Sequence, residues 1–316
     1  MKMRGSLISL ALITALYIGI IVGLEQRQHG FDDLPALLPT LGLLAVMSLL
    51  SYGLRYIRWH YLLHRNGHSF SLARGFPAYV AGFAFTATPG KAGELVRIRY
   101  FQPLGVGAGP VVAAFVFERS LDIVVLLALA SVLALQSPHF GLVAAFAGGA
   151  LGLVLLLMLF AGRLRALATY LQGHSWPRAG KLLDIVAQGF AGARVWLNPG
   201  DLLLALGLGV LAWGLTASAF AWLLLTLNIH VPTAISLAIY PLAMLAGAAS
   251  MIPGGLGSTE VAIVVLLRAW DAPLASATLA AVAIRLATLW FAIACGLLSM
   301  LWLERRPPAS RPAAVI

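Results

Sequence analysis

One stretch of this chain occurs twice, and the repetition limits the architecture before any single element is assigned. Residues 76–94 read FPAYVAGFAFTATPGKAGE and residues 240–260 read YPLAMLAGAASMIPGGLGSTE. In each copy the proline of an aromatic-Pro pair, Phe76-Pro77 or Tyr240-Pro241, lies twelve residues ahead of a Pro-Gly, Pro89-Gly90 or Pro253-Gly254. Each copy passes through glycine to a lone acid, Glu94 or Glu260, and twenty-five residues later an arginine follows in apolar sequence, Arg119 or Arg285. The copies stay 164 to 166 residues apart throughout, and Asn66-Gly67-His68 upstream is echoed by Asn228-Ile229-His230.

What surrounds the copies is apolar. With 61% hydrophobic and 10% charged residues the chain cannot cover a soluble globule with polar surface. Stretches of roughly 20 apolar residues, the length a helix needs to cross the hydrocarbon core, lie at 6–24, 38–60, 109–135, 141–161, 201–227 and 276–303. The first follows Lys2 and Arg4 as a signal peptide would, but it is long and no small-x-small cleavage site follows, so it reads as a retained span. A formal charge of +10 invites a nucleic-acid partner until its distribution is followed. Lys2 and Arg4, then Arg55, Arg58, Arg65 and Arg74, then Arg163, Arg165, Arg178, Lys181 and Arg194, then Arg305, Arg306 and Arg311 fall on one side of the expected spans. The other side holds Glu25, Arg27, Asp32 and Asp33, an uncharged SPHFG, and Arg268 with Asp271. The charge is therefore topological, both termini are expected in the cytoplasm, and no nucleic acid is expected. Cys295 is the sole cysteine, so neither a disulfide nor a thiolate metal site can form within the chain.

The stretch from Leu72 to Thr88 is too short to cross, and Arg97 and Arg99 return the chain to the side it came from. The simplest solution is a re-entrant hairpin with TPGKAGE at its tip, which must line protein or a water-filled cavity because lipid cannot satisfy its peptide groups. The second copy enters from the opposite face. The expectation is an all-α integral membrane protein with about six full spans and two re-entrant hairpins in an inverted-topology repeat. An extra N-terminal span (1–30) precedes a first repeat (38–135), a connecting span and interfacial helix (136–200), a second, inverted repeat (201–303) and a basic cytoplasmic tail (304–316). In such proteins the site lies near the midplane, where broken helices expose peptide groups. At the tips Pro89, Gly90, Lys91, Gly93, Pro253, Gly254, Gly255 and Gly257 permit positive φ and close backbone approach, and the N–H groups of the return helices can face an anion.

Three charges sit inside the span at 109–135. Glu118, Arg119 and Asp122 each cost at least about 2.5 kcal/mol at the bilayer centre unless they face protein, so they pair with one another, staple helices or meet a headgroup. Arg119 and Asp122 have the spacing of a local pair. His60, His64 and His68 are four apart, but Asn66-Gly67 interrupts their helix and no carboxylate is near. With Arg55, Arg58, Trp59 and Tyr61 they read as side chains snorkelling at the cytoplasmic boundary, and no metal is expected. Residues 178–197 have the apolar spacing of a helix lying on the interface.

TPGKAGELVR, FERSLD and IPGGLGSTE resemble the three signature blocks of the lysylphosphatidylglycerol-synthase transmembrane, or flippase-like, family. That family includes the flippase domain of the bacterial multiple peptide resistance factor, hopanoid-biosynthesis-associated membrane proteins and archaeal proteins of lipid-linked glycan assembly. The resemblance covers nearly the whole chain and implies movement of lipid between leaflets of a bacterial inner membrane. Its matching positions are Gly93-Glu94, Arg97, Glu118-Arg119, Asp122, Pro253, Gly254-Gly255, Gly257 and Glu260. Bifunctional relatives carry a soluble aminoacyl-transferase domain after the membrane part. This sequence stops shortly after its last span, so the expectation is a stand-alone transporter.

The residues and the resemblance together lead to a lipid translocator, flippase or scramblase, and not an enzyme. Glu94, Arg97, Glu118, Arg119, Asp122, Glu260 and Arg285 are the expected substrate-binding set, with arginine holding phosphate. The acids balance those arginines or protonate alternately to couple transport to a proton gradient. No cofactor is expected. The expected partner is a membrane lipid substrate, with a second copy or lipid-biosynthesis enzymes as further candidates. The alternatives are a membrane-embedded enzyme or a scaffold in lipid or lipid-linked glycan biosynthesis.

Overall fold

A computed structural model describes residues 37–134, 140–174 and 176–305, and these form helices joined by turns, with no strand among them. The span expected at 6–24, its flanking charges, the acidic loop at 25–33, loop residues 137–139 and the tail beyond Arg305 lie outside the described residues. Helix α1 is Leu38–Arg65, α2 Leu72–Ala81, α3 Arg97–Phe101, α4 Ala108–Ala134, α5 Phe140–Leu159 and α6 Ala161–Gln172. Then follow α7 Pro177–Ala193, α8 Pro199–Thr226, α9 Thr233–Ala249, α10 Ser258–Arg268, α11 Leu274–Arg285 and α12 Phe291–Glu304. Among the described residues, three helical segments are long and apolar enough to cross a membrane, namely α1, α8 and the continuous run Leu274–Glu304. Helices also occupy the stretches expected at 109–135 and 141–161.

Helix α1 shows why this chain needs lipid around it. Leu43, Val46, Leu50 and Ile57 point outward, while Ser48, Ser51, Arg55 and Arg58 are buried at helical spacing. The outside is apolar, and the buried side carries the charged and hydroxyl groups among Leu44, Tyr52, Trp59 and Leu62, the reverse of a water-soluble helix in where its charges lie. Helix α1 packs along α8, where Gly209 supplies the close approach, since a Cβ there would stand 2.9 Å from the Arg58 Nη1 atom. These two long helices stop with the same cap, set one position earlier in the second Asn-x-His triplet than in the first. Gly67 and Asn228 take positive φ, and the next N–H (His68, Ile229) bonds a carbonyl five residues back (Leu63, Leu224).

Between α1 and α4 the chain folds back on itself. Helix α2 tightens into a 3₁₀ turn (Gly82–Phe85), breaks, and returns through a second 3₁₀ segment (Pro89–Val96) into α3. The second broken hairpin is α9, a short 3₁₀ turn (Pro253–Gly255) and α10. The tips meet: a Cβ on Gly254 would lie 3.2 Å from both Cα and Cβ of Ala87. Each hairpin has its own apolar core, one around Trp59, Tyr79, Phe101, Phe117 and Trp196, the other around Trp213, Phe220, Tyr240 and Ile284.

The last helical run is not uniform. Leu286–Trp290 form a π-helical turn, whose widened ladder frees carbonyls. The Ser48 hydroxyl donates to the Ala287 carbonyl (2.8 Å) and the Tyr52 hydroxyl to that of Thr288 (3.0 Å). Further along, Gly296 lies directly on the 82–85 turn, with no room for a Cβ against the Ala84 backbone.

One sequence expectation changes. Arg55 and Arg58 were placed at a membrane boundary, yet both are buried, because each finds a carboxylate on α4 that offsets its desolvation. The 178–197 stretch is α7 plus a 3₁₀ turn (Arg194–Leu197) packed on α4 and on a helix the sequence reading did not separate, α6. Phe190 and Trp196 are buried there while Leu182 is exposed.

Candidate functional site

The first tip is organised by Thr88 and Arg97. The Thr88 hydroxyl donates to the Phe85 carbonyl (2.9 Å) and accepts from the Gly93 amide (2.7 Å). Gly93 must be glycine, since a Cβ would meet the Phe85 carbonyl oxygen at 2.5 Å. Gly90 and Lys91 both adopt left-handed backbone, φ 59° and 57°. Glu94 accepts from the Thr86 hydroxyl (2.8 Å) and lies 3.1 Å from Arg97 Nη2. Arg97 is fully buried, donates to the Tyr79 carbonyl (2.8 Å), and sits over the rings of Tyr79 and Trp59 at 4.0 and 5.0 Å. Gly82 makes the room for it, because a Cβ there would overlap its side chain.

The second tip is held differently. Gly254, Gly255 and Gly257 all have positive φ, and Arg285 donates to Glu260 Oε1 (2.9 Å) and to the Gly254 carbonyl (2.5 Å). Gly247 and Gly255 leave just enough space for the Thr259 hydroxyl.

Behind the tips, α1 and α4 share a buried ionic cluster. Arg58 Nη2 bonds Asp122 Oδ1 (2.8 Å) and Glu118 Oε1 (3.1 Å), and Arg55 Nη1 bonds Asp122 Oδ2 (3.0 Å). Arg119 Nη2 lies 3.2 Å from both Glu118 Oε2 and Asp122 Oδ2, so the local pair expected with Asp122 is present. The Tyr79 hydroxyl donates to Glu118 (2.7 Å), and Arg97 Nη1 approaches it at 3.7 Å. Four arginines and Lys91 thus face three carboxylates, Glu94, Glu118 and Asp122, leaving two positive charges over.

The tips and the cluster enclose two adjoining chambers. The more polar one, of about 90 Å³, is walled by Ser51, Arg55, Thr86, Glu94, Arg285 and Thr288 together with Tyr52, Phe83, Leu289 and Ala292. The other, about 180 Å³, is mostly apolar, with Ile123, Leu126, Ala248 and Ile252 in its wall. Lys91, Arg119, Trp213, Met244 and Gly254 line both, so the two chambers adjoin across these five residues.

Of the sequence-derived set, Glu94, Arg119 and Arg285 line the polar chamber and Asp122 the apolar one. Arg97, Glu118 and Glu260 stand behind the wall as ion-pair partners. At the tips, Gly90, Lys91, Gly254 and Gly255 reach a chamber, whereas Pro89, Gly93, Pro253 and Gly257 shape the backbone that carries them. The sequence reading missed Arg55, Ser48, Ser51, Trp213 and Thr288 as cavity residues. One signal was available: Arg55 and Arg58 continue the helical face set by Ser48 and Ser51. His60 and His64 stack at 6.1 Å outside both chambers.

A family model described as the lysylphosphatidylglycerol synthase TM region matches residues 6–296. No curated protein and no solved structure matches the chain.

Proposed function

Because the chain belongs to the lysylphosphatidylglycerol synthase TM-region family, membrane proteins of lipid modification or translocation, we propose that it carries a phosphate-bearing lipid between leaflets. The observation that carries this reading is the pairing of a cationic, hydroxyl-lined chamber with an apolar one across a shared boundary at the meeting of two broken hairpins. A lipid has the same two parts. Its headgroup takes the polar chamber while its acyl chains lie along the apolar one and leave toward the bilayer.

The chemistry is recognition without bond making. Most hydroxyls of the polar chamber already donate to protein carbonyls: Ser48 to Ala287, Ser51 to Ala212, Thr216 to Ala212 and Thr288 to Ile284. Donors toward an anion therefore come from Arg and Lys, and charge-assisted bonds to phosphate oxygens are the stronger kind. The carboxylates keep the arginines from trapping phosphate irreversibly. Movement follows from separation of the hairpin tips, which touch through small residues at Ala87 and Gly254.

The same reading takes the hairpins as re-entrant within an inverted repeat of about six spans, both termini cytoplasmic, in a bacterial inner membrane. Contacts between element ends support it. Asp201 at the start of α8 is bonded by Tyr61 and Arg65 at the end of α1, and Glu304 at the end of α12 pairs with Arg99 (3.3 Å) and Tyr100 (3.2 Å) after the first hairpin. Each of these contacts brings its own two ends together, as the proposed topology requires.

Proteoliposomes containing fluorescent phospholipid and a membrane-impermeant quencher test the proposal. Label in the inner leaflet becomes quenchable when the protein is present. Quenching that stops at the outer leaflet counts against a translocator and favours a lipid-modifying enzyme or a scaffold.

A further inference from the structure

Resting on the translocator reading for its ligand, we propose that Lys91 is the residue that holds the lipid phosphate, at the passage where the polar chamber opens into the apolar one. Three observations converge on it. Lys91 lines both chambers, which is where the phosphate of a glycerophospholipid must lie if headgroup and acyl chains occupy one each. The other cations of the passage and polar chamber are already engaged. Arg55 bonds Asp122, Arg119 is shared between Glu118 and Asp122, and Arg285 is fixed by Glu260 and the Gly254 carbonyl. Among the described residues Lys91 has no such side-chain partner, and the nearest acid of its own tip, Glu94, is taken by Thr86 and Arg97.

The third observation is the backbone. Lys91 sits at φ 57°, ψ 22°, directly after Gly90 at φ 59°, ψ 15°. Glycine or asparagine adopts this left-handed geometry readily, while a lysine there is strained. Strain of this kind persists where the surroundings over-determine it, and ligand clamps are a common place. A tip that needed only its turn would carry glycine at both positions, as Gly254 and Gly255 do in the second hairpin, both at φ 64°. The first hairpin carries an ammonium instead. The tips therefore differ in role: the first brings the charge, and the second, pinned by Arg285, forms the surface it faces.

The same strain gives a clean test, because Lys91→Gly and Lys91→Asn remove the ammonium while suiting the backbone. The full chain in detergent is examined by native mass spectrometry for retention of phosphatidylglycerol and of a galactosyl diacylglycerol with the same acyl chains, which has no phosphate. Wild type is expected to prefer the phospholipid by about tenfold, the scale of one charge-assisted contact. Lys91→Gly and Lys91→Asn lose that preference without loss of galactolipid, and Lys91→Arg keeps it. Inorganic phosphate at millimolar concentration leaves the lipid in place. Equal preference in wild type and Lys91→Gly overturns the proposal, as does displacement by inorganic phosphate alone, which would make this a free-anion site. The outcome is separable from the translocator reading: Lys91-dependent retention without leaflet transfer removes transport and leaves the site, and transfer with Lys91-independent retention does the reverse.

Discussion

Arg285 and Glu260, twenty-five residues apart, form an ion pair at 2.9 Å, whereas the residues at the matching positions of the first copy, Arg119 and Glu94, each pair with other partners. The duplicated spacing thus produces a direct contact once. In the first copy Glu118 and Asp122 draw Arg119 toward α1, and Arg97, three residues after Glu94, takes its place. The two halves share a chain path and divide the chemistry.

Removing Arg285 leaves Glu260 half-buried without its partner and the Gly254 carbonyl without a donor, while removing Glu260 leaves the Arg285 guanidinium buried and unpaired. Arg285→Ala is expected to destabilise the protein by about 3 kcal/mol or more, and Arg285→Met with Glu260→Gln by much less. Thermal unfolding in detergent decides it. Equal losses in the single and double variants would mean that the pair does not hold the tip.

Two glycines of α8 give contrasting expectations. Gly209→Ala places a methyl 2.9 Å from Arg58 Nη1 and is expected to cost about 1–3 kcal/mol by displacing the guanidinium from Asp122 and Glu118. Gly207 has open space where its Cβ would be, so Gly207→Ala is expected to be neutral or to stabilise by up to about 1 kcal/mol. Unfolding midpoints of the two variants, measured side by side, check the close helix contact.

Arg97 carries a different prediction from the one its sequence position gave. Lysine cannot both donate to the Tyr79 carbonyl and lie flat over the Tyr79 and Trp59 rings, so Arg97→Lys is expected to lower stability by about 1–3 kcal/mol. Because Arg97 does not line either chamber, lipid preference in the folded fraction should be unchanged. A shift in preference at unchanged stability would return Arg97 to the substrate-binding set.

Much of the fold was legible because its signals are local or repeated. Apolar length located the helices, Pro89-Gly90 and Pro253-Gly254 located the breaks, and Asn66-Gly67 marked the end of α1. The site was legible in part. Glu94, Arg119 and Arg285 stood out as charges in apolar sequence. Arg55 and Arg58 did not, because an arginine near the end of a span has the same sequence appearance whether it snorkels to water or turns inward. What decides is Asp122 and Glu118, more than sixty residues away in the chain for most of these contacts and adjacent only after α1 and α4 pack. The division of labour between the tips was legible only as Lys91 standing where the second copy has Gly255; that both positions take left-handed backbone, and that Lys91 has no ion-pair partner among the described residues, required the structure.

The central claim is that lipid crosses through the passage between the chambers, and Met244, which lines both, allows the passage to be closed without touching a charge. The direct measurement is leaflet transfer of fluorescent phosphatidylglycerol in proteoliposomes, comparing wild type with Met244→Trp at matched unfolding midpoints. Transfer in wild type that Met244→Trp slows at least about tenfold is the predicted result. Equal rates in the two proteins, or no transfer in wild type, would contradict it.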